Sequence, residues 1–221
     1  MSELIDIYDD NYNYYGIEDK KIAHENGLWH RVFTCQIINS KDEITYFQRK
    51  NPNKYSFLRP DYLDISVGGH YKAGEKIEDG IRELYEETGI DRKEVHFEDL
   101  IPLGIRQTAS TLAPDYIANE FQHIFLCDYR GDIHNLVKQN NETKGFVGLG
   151  IQDTIDLLLR KVSKINGNSC YIESGRHINQ NITVTIEDFI PNYLKIDKFI
   201  LRLMLSARRY LLKEDRDYLF W

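Results

Sequence analysis

Residues Gly68–Ile90 read GGHYKAGEKIEDGIRELYEETGI, and the rest of the chain is arranged around them. Glycines at 68, 69 and 74 flank His70, a pattern that predicts a turn where backbone bends tightly or passes close to another group. From about Ile77 to Thr88 the spacing predicts a short helix, with Gly89 as its stop. Ile77, Ile81, Leu84 and Thr88 recur at helical intervals and form the side that docks on a core. Glu83, Glu86 and Glu87 stand at i, i+3 and i, i+4 and share the opposite side, next to Arg82.

Like charges at that spacing repel, and acidic groups near a helix C-terminus oppose its macrodipole. A hard divalent cation turns the penalty into a binding site, because Mg²⁺ takes oxygen ligands and reaches substrate phosphates as well. The ordinary alternative is a solvated charged face. The combination of glycine turn, Glu75 and the run RELYEETGI argues for the metal.

These residues resemble the Nudix box, G-x5-E-x7-R-E-U-x-E-E-x-G-U with U aliphatic. Gly69-x5-Glu75 fits its first part, and Arg82–Ile90 fits every specified position of the second. Only the six residues Lys76–Ile81 separate Glu75 from Arg82, where the usual pattern has seven, so the helix is expected to begin one residue late. The resemblance implies an α/β fold, an α/β/α sandwich with a mixed β-sheet, and a pyrophosphohydrolase that works with Mg²⁺ or Mn²⁺. It implies metal ligation by Glu83, Glu86 and Glu87, with the Gly69 carbonyl and Glu120 as further donors. It also gives Arg82 a catalytic part, holding the helix by pairing with a glutamate such as Glu75.

A chain of 221 residues with 42% hydrophobic content suits one domain with an extension. The resemblance spans about Ile5–Lys161, so residues 1–161 are read as the domain and 162–221 as a C-terminal hairpin and helix packed on it. A net charge of -7 at pH 7 argues against a nucleic-acid or anionic-membrane surface. No apolar run approaches the ~18 residues of a membrane span, and the acidic, Tyr-rich N-terminus does not read as a signal peptide, so the cytoplasm is the expected location. Cys35, Cys127 and Cys170 match no zinc or disulfide spacing, and Cys35 and Cys127 read as buried thiols.

In chain order, Leu4–Tyr8 reads as a strand, Asp9–Asn13 as a turn and Ile17–Glu25 as a brief helix or turn. Trp29–Ile38 and Ile44–Gln48 form a hairpin, and Tyr62–Val67 is a strand leading into the glycines. Strands follow at about Val95–Gln107, Glu120–Tyr129 and Gly145–Leu149, then a helix at Gln152–Lys161. Asn166-Gly167-Asn168 signals a hairpin turn, and a C-terminal helix runs from Tyr193 to Lys213. Its apolar stripe of Ile196, Phe199, Ile200, Leu203, Met204, Ala207 and Leu211 is expected on the domain's own surface, with a homodimer contact as the alternative.

A second resemblance rests on Ala23-His24-x5-His30-Arg31 with Phe33, on Ser66-Val67-Gly68-Gly69-His70, and on Ala118-Asn119-Glu120 before FQHIF. These runs are similar to the isopentenyl-diphosphate isomerase branch of the same superfamily. There the matching histidines bind a metal and the last carboxylate helps catalysis, which makes His24, His30 and His70 a candidate second metal site and Glu120 a catalytic candidate. The isomerase's catalytic cysteine, however, falls on Gly68, and the first carboxylate of its ExE pair falls on Ala118. Moving a double bond needs an acid and a base on opposite sides of the allyl unit, and glycine supplies neither.

The chain therefore reads as a hydrolase of a small-molecule diphosphate, a nucleoside diphosphate derivative or another organic diphosphate. An isomerase-like enzyme and a nucleotide-binding module without turnover are the alternatives. Glu83 and Glu120 are the two candidates for the base that takes a proton from water. Gln48, Arg49, Lys50 and Lys54 are candidate phosphate contacts, weighed against ordinary solvated side chains. Trp29, Tyr46, Tyr55, Phe57 and Tyr62 either line a pocket or fill the core.

Overall fold

The computed structural model of the chain describes residues 3–50, 62–138 and 143–220. Lys54, Tyr55 and Phe57 lie outside the described residues, as does the side chain of Lys50.

Strand β1 (Leu4–Tyr8) turns through Asp9, whose carboxylate accepts from the amides of Asn11 at 3.0 Å and Asn13 at 2.8 Å, into β2 (Tyr14–Asp19). Asp19 then caps α1 (Lys20–Glu25) by accepting from Lys21 N at 2.9 Å, so the stretch expected as a brief helix or turn opens as strand up to Asp19 and continues as helix. β3 (Trp29–Asn39) and β4 (Ile44–Lys50) make the expected hairpin. β5 (Leu63–Asp64) and β6 (Val67–His70) follow. Gly68 and Gly69 are strand residues paired to Thr34 and Phe33, so the predicted glycine turn moves to Lys72–Glu75. The expected helix from Ile77 is divided into a 3-10 turn, Glu78–Ile81, and α2 (Arg82–Glu87).

β7 (Ile101–Ala113) and β8 (Tyr116–Asp128) pair along nearly their whole length and exceed the predicted strands at the turn between them. The short α3 (Ile133–Leu136), β9 (Thr143–Gly150) and α4 (Ile151–Leu158) come next. Asn166-Gly167-Asn168 lies inside β10 (Ile165–Glu173), and the hairpin to β11 (Arg176–Val184) turns instead at Ser174-Gly175. Both turn residues have positive φ, 51° and 74°, the two-residue geometry that matches strand twist and favours glycine. The C-terminal helix is also broken, into α5 (Pro191–Lys195) and α6 (Phe199–Leu211), because Lys198 adopts the left-handed conformation.

β3 is the axis of the sheet. Along one edge it runs parallel to β8, from His30 opposite Glu120 to Ile38 opposite Asp128. Along the other it meets β1, β6 and β4 in turn, all antiparallel, and the sheet continues through β9, β10 and β11. The alternation of side chains sorts the core into two layers. Phe33, Cys35, Ile37, Phe125 and Cys127 face Ile81 and Leu84 at α2. Ile38, Phe47, Ile124, Leu126, Val147 and Leu149 face Ile155 of α4 and Leu203 and Met204 of α6.

This is the expected α/β/α sandwich with a mixed sheet. The stripe on α6 is buried in the chain's own core, but Ile196, on the far side of the break, is 55% exposed. All three cysteines are buried and free. Among the described residues no helix is long and apolar enough to cross a membrane.

Candidate active site

Glu83 and Glu87 point from α2 toward the sheet and are buried, at 8% and 2% exposure. Glu83 reaches it because β6 carries no side chain at Gly69. A Cβ on Gly69 would lie 2.1 Å from Glu83 Cδ, so any other residue would push the carboxylate away. Gly68 N donates to Glu87 Oε2 at 3.4 Å, and Gln48 Nε2 donates to the same oxygen at 3.0 Å. Gln48, expected to meet phosphate, is instead a buried support for Glu87 that also donates to Thr143 Oγ1 at 3.0 Å.

Arg82 sits in the middle of the acids. It donates to both oxygens of Glu75, at 3.0 and 3.1 Å, to Glu83 Oε1 at 2.7 Å, to Glu86 Oε2 at 3.1 Å and to the His70 carbonyl at 3.1 Å. The missing residue between Glu75 and Arg82 does not break this pairing. A 3-10 turn rises about 2.0 Å per residue against about 1.5 Å in an α-helix, so the shorter approach covers the distance. Glu86 is the exposed member of the trio: its side chain is 51% exposed and accepts from the same Arg82 Nη1 as Glu83. Burial is the main force raising the Glu83 carboxyl to about 7, offset in part by Arg82 and reinforced by Glu87. A buried acid held half-neutral beside a second buried acid suits a divalent cation, whose ligands would be Glu83 and Glu87 with the Gly69 carbonyl.

The turn that carries Glu75 is fastened from the other end of the chain. Asp6 accepts from Gly74 N at 3.1 and 3.2 Å, and Leu4 O accepts from Ala73 N at 2.8 Å. Arg31 donates to Asp6 at 3.1 Å and to the Glu75 carbonyl at 2.6 Å.

The histidines converge. Ligand atoms of His24, His30 and His70 lie within 4.8 Å of one another. His24 Nδ1 donates to Ile117 O at 3.1 Å and His30 Nδ1 to Leu28 O at 2.7 Å, because a carbonyl can only accept. Both therefore present Nε2 as a lone pair, and His30 Nε2 is buried with no partner. His24 Nε2 lies 3.0 Å from His70 Nε2. Burial lowers all the ring pKa values, His30 to about 4, which keeps the rings neutral and fit to ligate. The carbonyls that orient the His24 and His30 imidazoles are the usual outer support of a metal-bound histidine.

His70 also lines a cavity of about 160 Å³ on the α6 side of the sheet. Glu120, Gly68, Gly69, Ala118, Tyr116 and Tyr193 share that lining, but Glu83, Glu86 and Glu87 do not. Glu120, which the resemblance offers as a further donor beside the box carboxylates, lines this cavity with His70. Burial raises its carboxyl above the usual range, against the pull of a hydrogen bond from Gln122 and of nearby His24. Arg49 lies elsewhere, at the end of β4 opposite Leu63, with its Nε buried and unpaired. Tyr46 is core, Trp29 packs on Phe121 at 4.9 Å, and Tyr62 borders a separate groove.

The NUDIX domain family matches residues 28–160. The chain belongs to the Nudix family. It is 31% identical over 207 residues to an uncharacterised Nudix hydrolase of Clostridium acetobutylicum, covering 92% of this chain and 98% of that one. It is 27% identical over 176 residues to isopentenyl-diphosphate delta-isomerase 2 of Homo sapiens, covering 73% of this chain and 75% of the isomerase. The crystal structure of DR0079 from Deinococcus radiodurans superposes with a TM-score of 0.53 at 20% identity, over 72% of this chain and 90% of that one, a likeness of fold. The chain is thus a Nudix pyrophosphohydrolase with isomerase-like relatives.

Beyond the Nudix box, the structure adds residues that sequence reading did not single out for the site. Arg106, Gln122 and Asp197 stand around the cavity, and Asn192, Tyr193 and Ile196 close one side of it from the C-terminal segment. No local pattern marks them. An alternating strand places Arg106 and Gln122 on the same face as Glu120, and that periodicity was the one available signal.

Proposed function

We propose that this Nudix enzyme is a divalent-metal-dependent hydrolase of a compact organic diphosphate. The observation that carries the reading is the pair of buried acids, Glu83 and Glu87, facing a strand where Gly69 leaves room for Glu83 and Gly68 N donates to Glu87. Mg²⁺ or Mn²⁺ held there supplies neutralisation of phosphate oxygens and an acidified water. Arg82 fixes the angle of Glu83 through Glu75 and neutralises part of the cluster. Glu83 on α2 and Glu120 on the cavity side are the two candidates for the group that takes a proton from water. His24, His30 and His70 would hold a second, borderline metal such as Mn²⁺ or Zn²⁺ through their Nε2 atoms.

The cavity supports a small leaving portion. Val32, Ile65, Leu112, Ile190 and Ile196 make its walls largely apolar, and a dry space of roughly 150 Å³ accommodates a benzene-sized group. A whole nucleoside is larger than that. The convergence of the histidines with Glu120 favours isomerisation of an isoprenoid diphosphate as a second reading. Gly68 and Ala118, which line the same cavity and carry no acid or thiol, oppose it.

A phosphate-release assay over small organic diphosphates, isoprenoid diphosphates and nucleoside diphosphate derivatives, with Mg²⁺, Mn²⁺ or chelator, tests the proposal. Release that needs metal and is fastest with the compact substrates is expected. Conversion of isopentenyl diphosphate without phosphate release would replace hydrolysis by isomerisation. Saturable binding with no turnover under any metal would make the chain a sensor.

A further inference from the structure

Arg106 is 1% exposed, the largest of the fully buried side chains. A buried guanidinium is costly unless fully paired, and its partners are specific. Nε donates to Asp197 Oδ2 at 2.6 Å and Nη2 to Asp197 Oδ1 at 3.2 Å, a two-pronged pair, with the Phe199 ring centroid 4.3 Å from Cζ. Nη1 donates to Gln122 Oε1 at 2.8 Å, and Gln122 Nε2 donates to Glu120 Oε2 at 2.6 Å. Arginine has donors only, so the Gln122 oxygen must face it and the amide nitrogen must face Glu120. The amide has one orientation, and Glu120 Oε2 is committed as an acceptor.

Asp197 comes from outside the segment that matches the family, at the break between α5 and α6. The next residue, Lys198, is left-handed at φ 54° and ψ 39°, a conformation disfavoured for a residue with a Cβ. Such strain persists where the surroundings hold it, and here it accompanies the turn from which Asp197 pairs with Arg106.

We propose that Asp197 and Arg106 are positioning residues, which hold the Glu120 carboxylate through Gln122 and leave its Oε1 for the chemistry in the cavity. The C-terminal segment is then a working part of the site. The inference rests on the hydrolase reading only in giving Glu120 a role in turnover.

The test is Asp197→Asn and Gln122→Leu, each made alone and in a Glu120→Gln background, with kcat, KM and thermal unfolding measured on the best substrate of the panel. Each single change is expected to lower kcat about tenfold with KM within about twofold, the scale of a lost outer support. Neither should lower kcat further once Glu120 is gone, and Asp197→Glu should recover part of the rate. Equal losses in both backgrounds, or unchanged kcat in folded variants, would reduce the chain to a pin for the C-terminal helix and overturn the proposal. A crystal structure of Gln122→Leu reads the same question without turnover. Glu120 is expected to leave its position while Arg106 stays on Asp197, and an unmoved Glu120 would refute the relay even if wild-type protein releases no phosphate.

Discussion

Glu75, Arg82, Glu83 and Glu87 belong to one short stretch around α2, whereas His24, His30, His70, Arg106, Glu120 and Asp197 arrive from separate parts of the chain. The first group is placed by the geometry of a single helix and the strand beneath it. The second exists only when α1, β3, β6, β7, β8 and the turn before α6 are all in register. A motif that is local in sequence carries most of its own geometry and takes only a few props, such as Gln48 and Asp6, from elsewhere. A site assembled across the sheet is exposed to every distant substitution that shifts one of its pieces.

The largest effect that would separate the two regions belongs to the acids. Glu83→Gln and Glu87→Gln remove charge without volume and should lower kcat by roughly 10²–10⁴-fold, while Mn²⁺ uptake at the histidines, followed by electron paramagnetic resonance, stays as in wild type. Loss of both signals together would merge the two places into one centre. His30→Leu should come next. It deletes the unpartnered Nε2 and is expected to remove one ion per chain by elemental analysis, with a rate loss of roughly 10–100-fold. Unchanged metal content would make the histidine trio a packing feature.

Protonation of Glu83 gives a smaller, thermodynamic effect. Its folded value near 7 stands above the ordinary 4.5, chiefly through burial. The stability tied to the protonated acid is therefore complete below pH 4.5 and is lost as pH rises through 7. Metal-stripped protein should lose roughly 5 °C in Tm between pH 5 and 8, and Glu83→Gln or added Mg²⁺ should flatten that slope. A flat profile in metal-free wild type would mean that Arg82 already holds the acid ionised. Smallest of all is Glu86→Gln. An exposed pair is worth about 0–1 kcal/mol, so kcat should change by less than about threefold. A hundredfold loss would return Glu86 to the ligand set that its helical spacing suggested.

The contrast also decides what could be read beforehand. RELYEETGI carries its own geometry, so the cluster of acids beside Arg82 was legible from spacing, and the resemblance to the Nudix box supplied the partnership of Arg82 with Glu75. Spacing put Glu86 beside Glu83, where both accept from Arg82 Nη1, but it could not say that Glu86 would be exposed while Glu83 and Glu87 are buried. The glycines at 68 and 69 were read as a turn, since local preference cannot distinguish a bend from a strand kept bare for an approaching carboxylate. The break at Lys198 was invisible because the apolar repeat continues across it. Arg106 and Asp197 are 91 positions apart, a separation over which no periodicity speaks.

Asp6 has a consequence for anyone who would shorten this protein. A fragment cut to residues 28–160, where the family match begins and ends, discards the tether on Gly74 and Arg31, the first histidine and the aspartate before α6. Such a fragment would keep every residue of the box and lose the anchorage that aims it. The contacts that brace the box reach instead from Leu4, whose carbonyl takes the Ala73 amide, to Leu219, whose side chain is buried among the residues packed on α6.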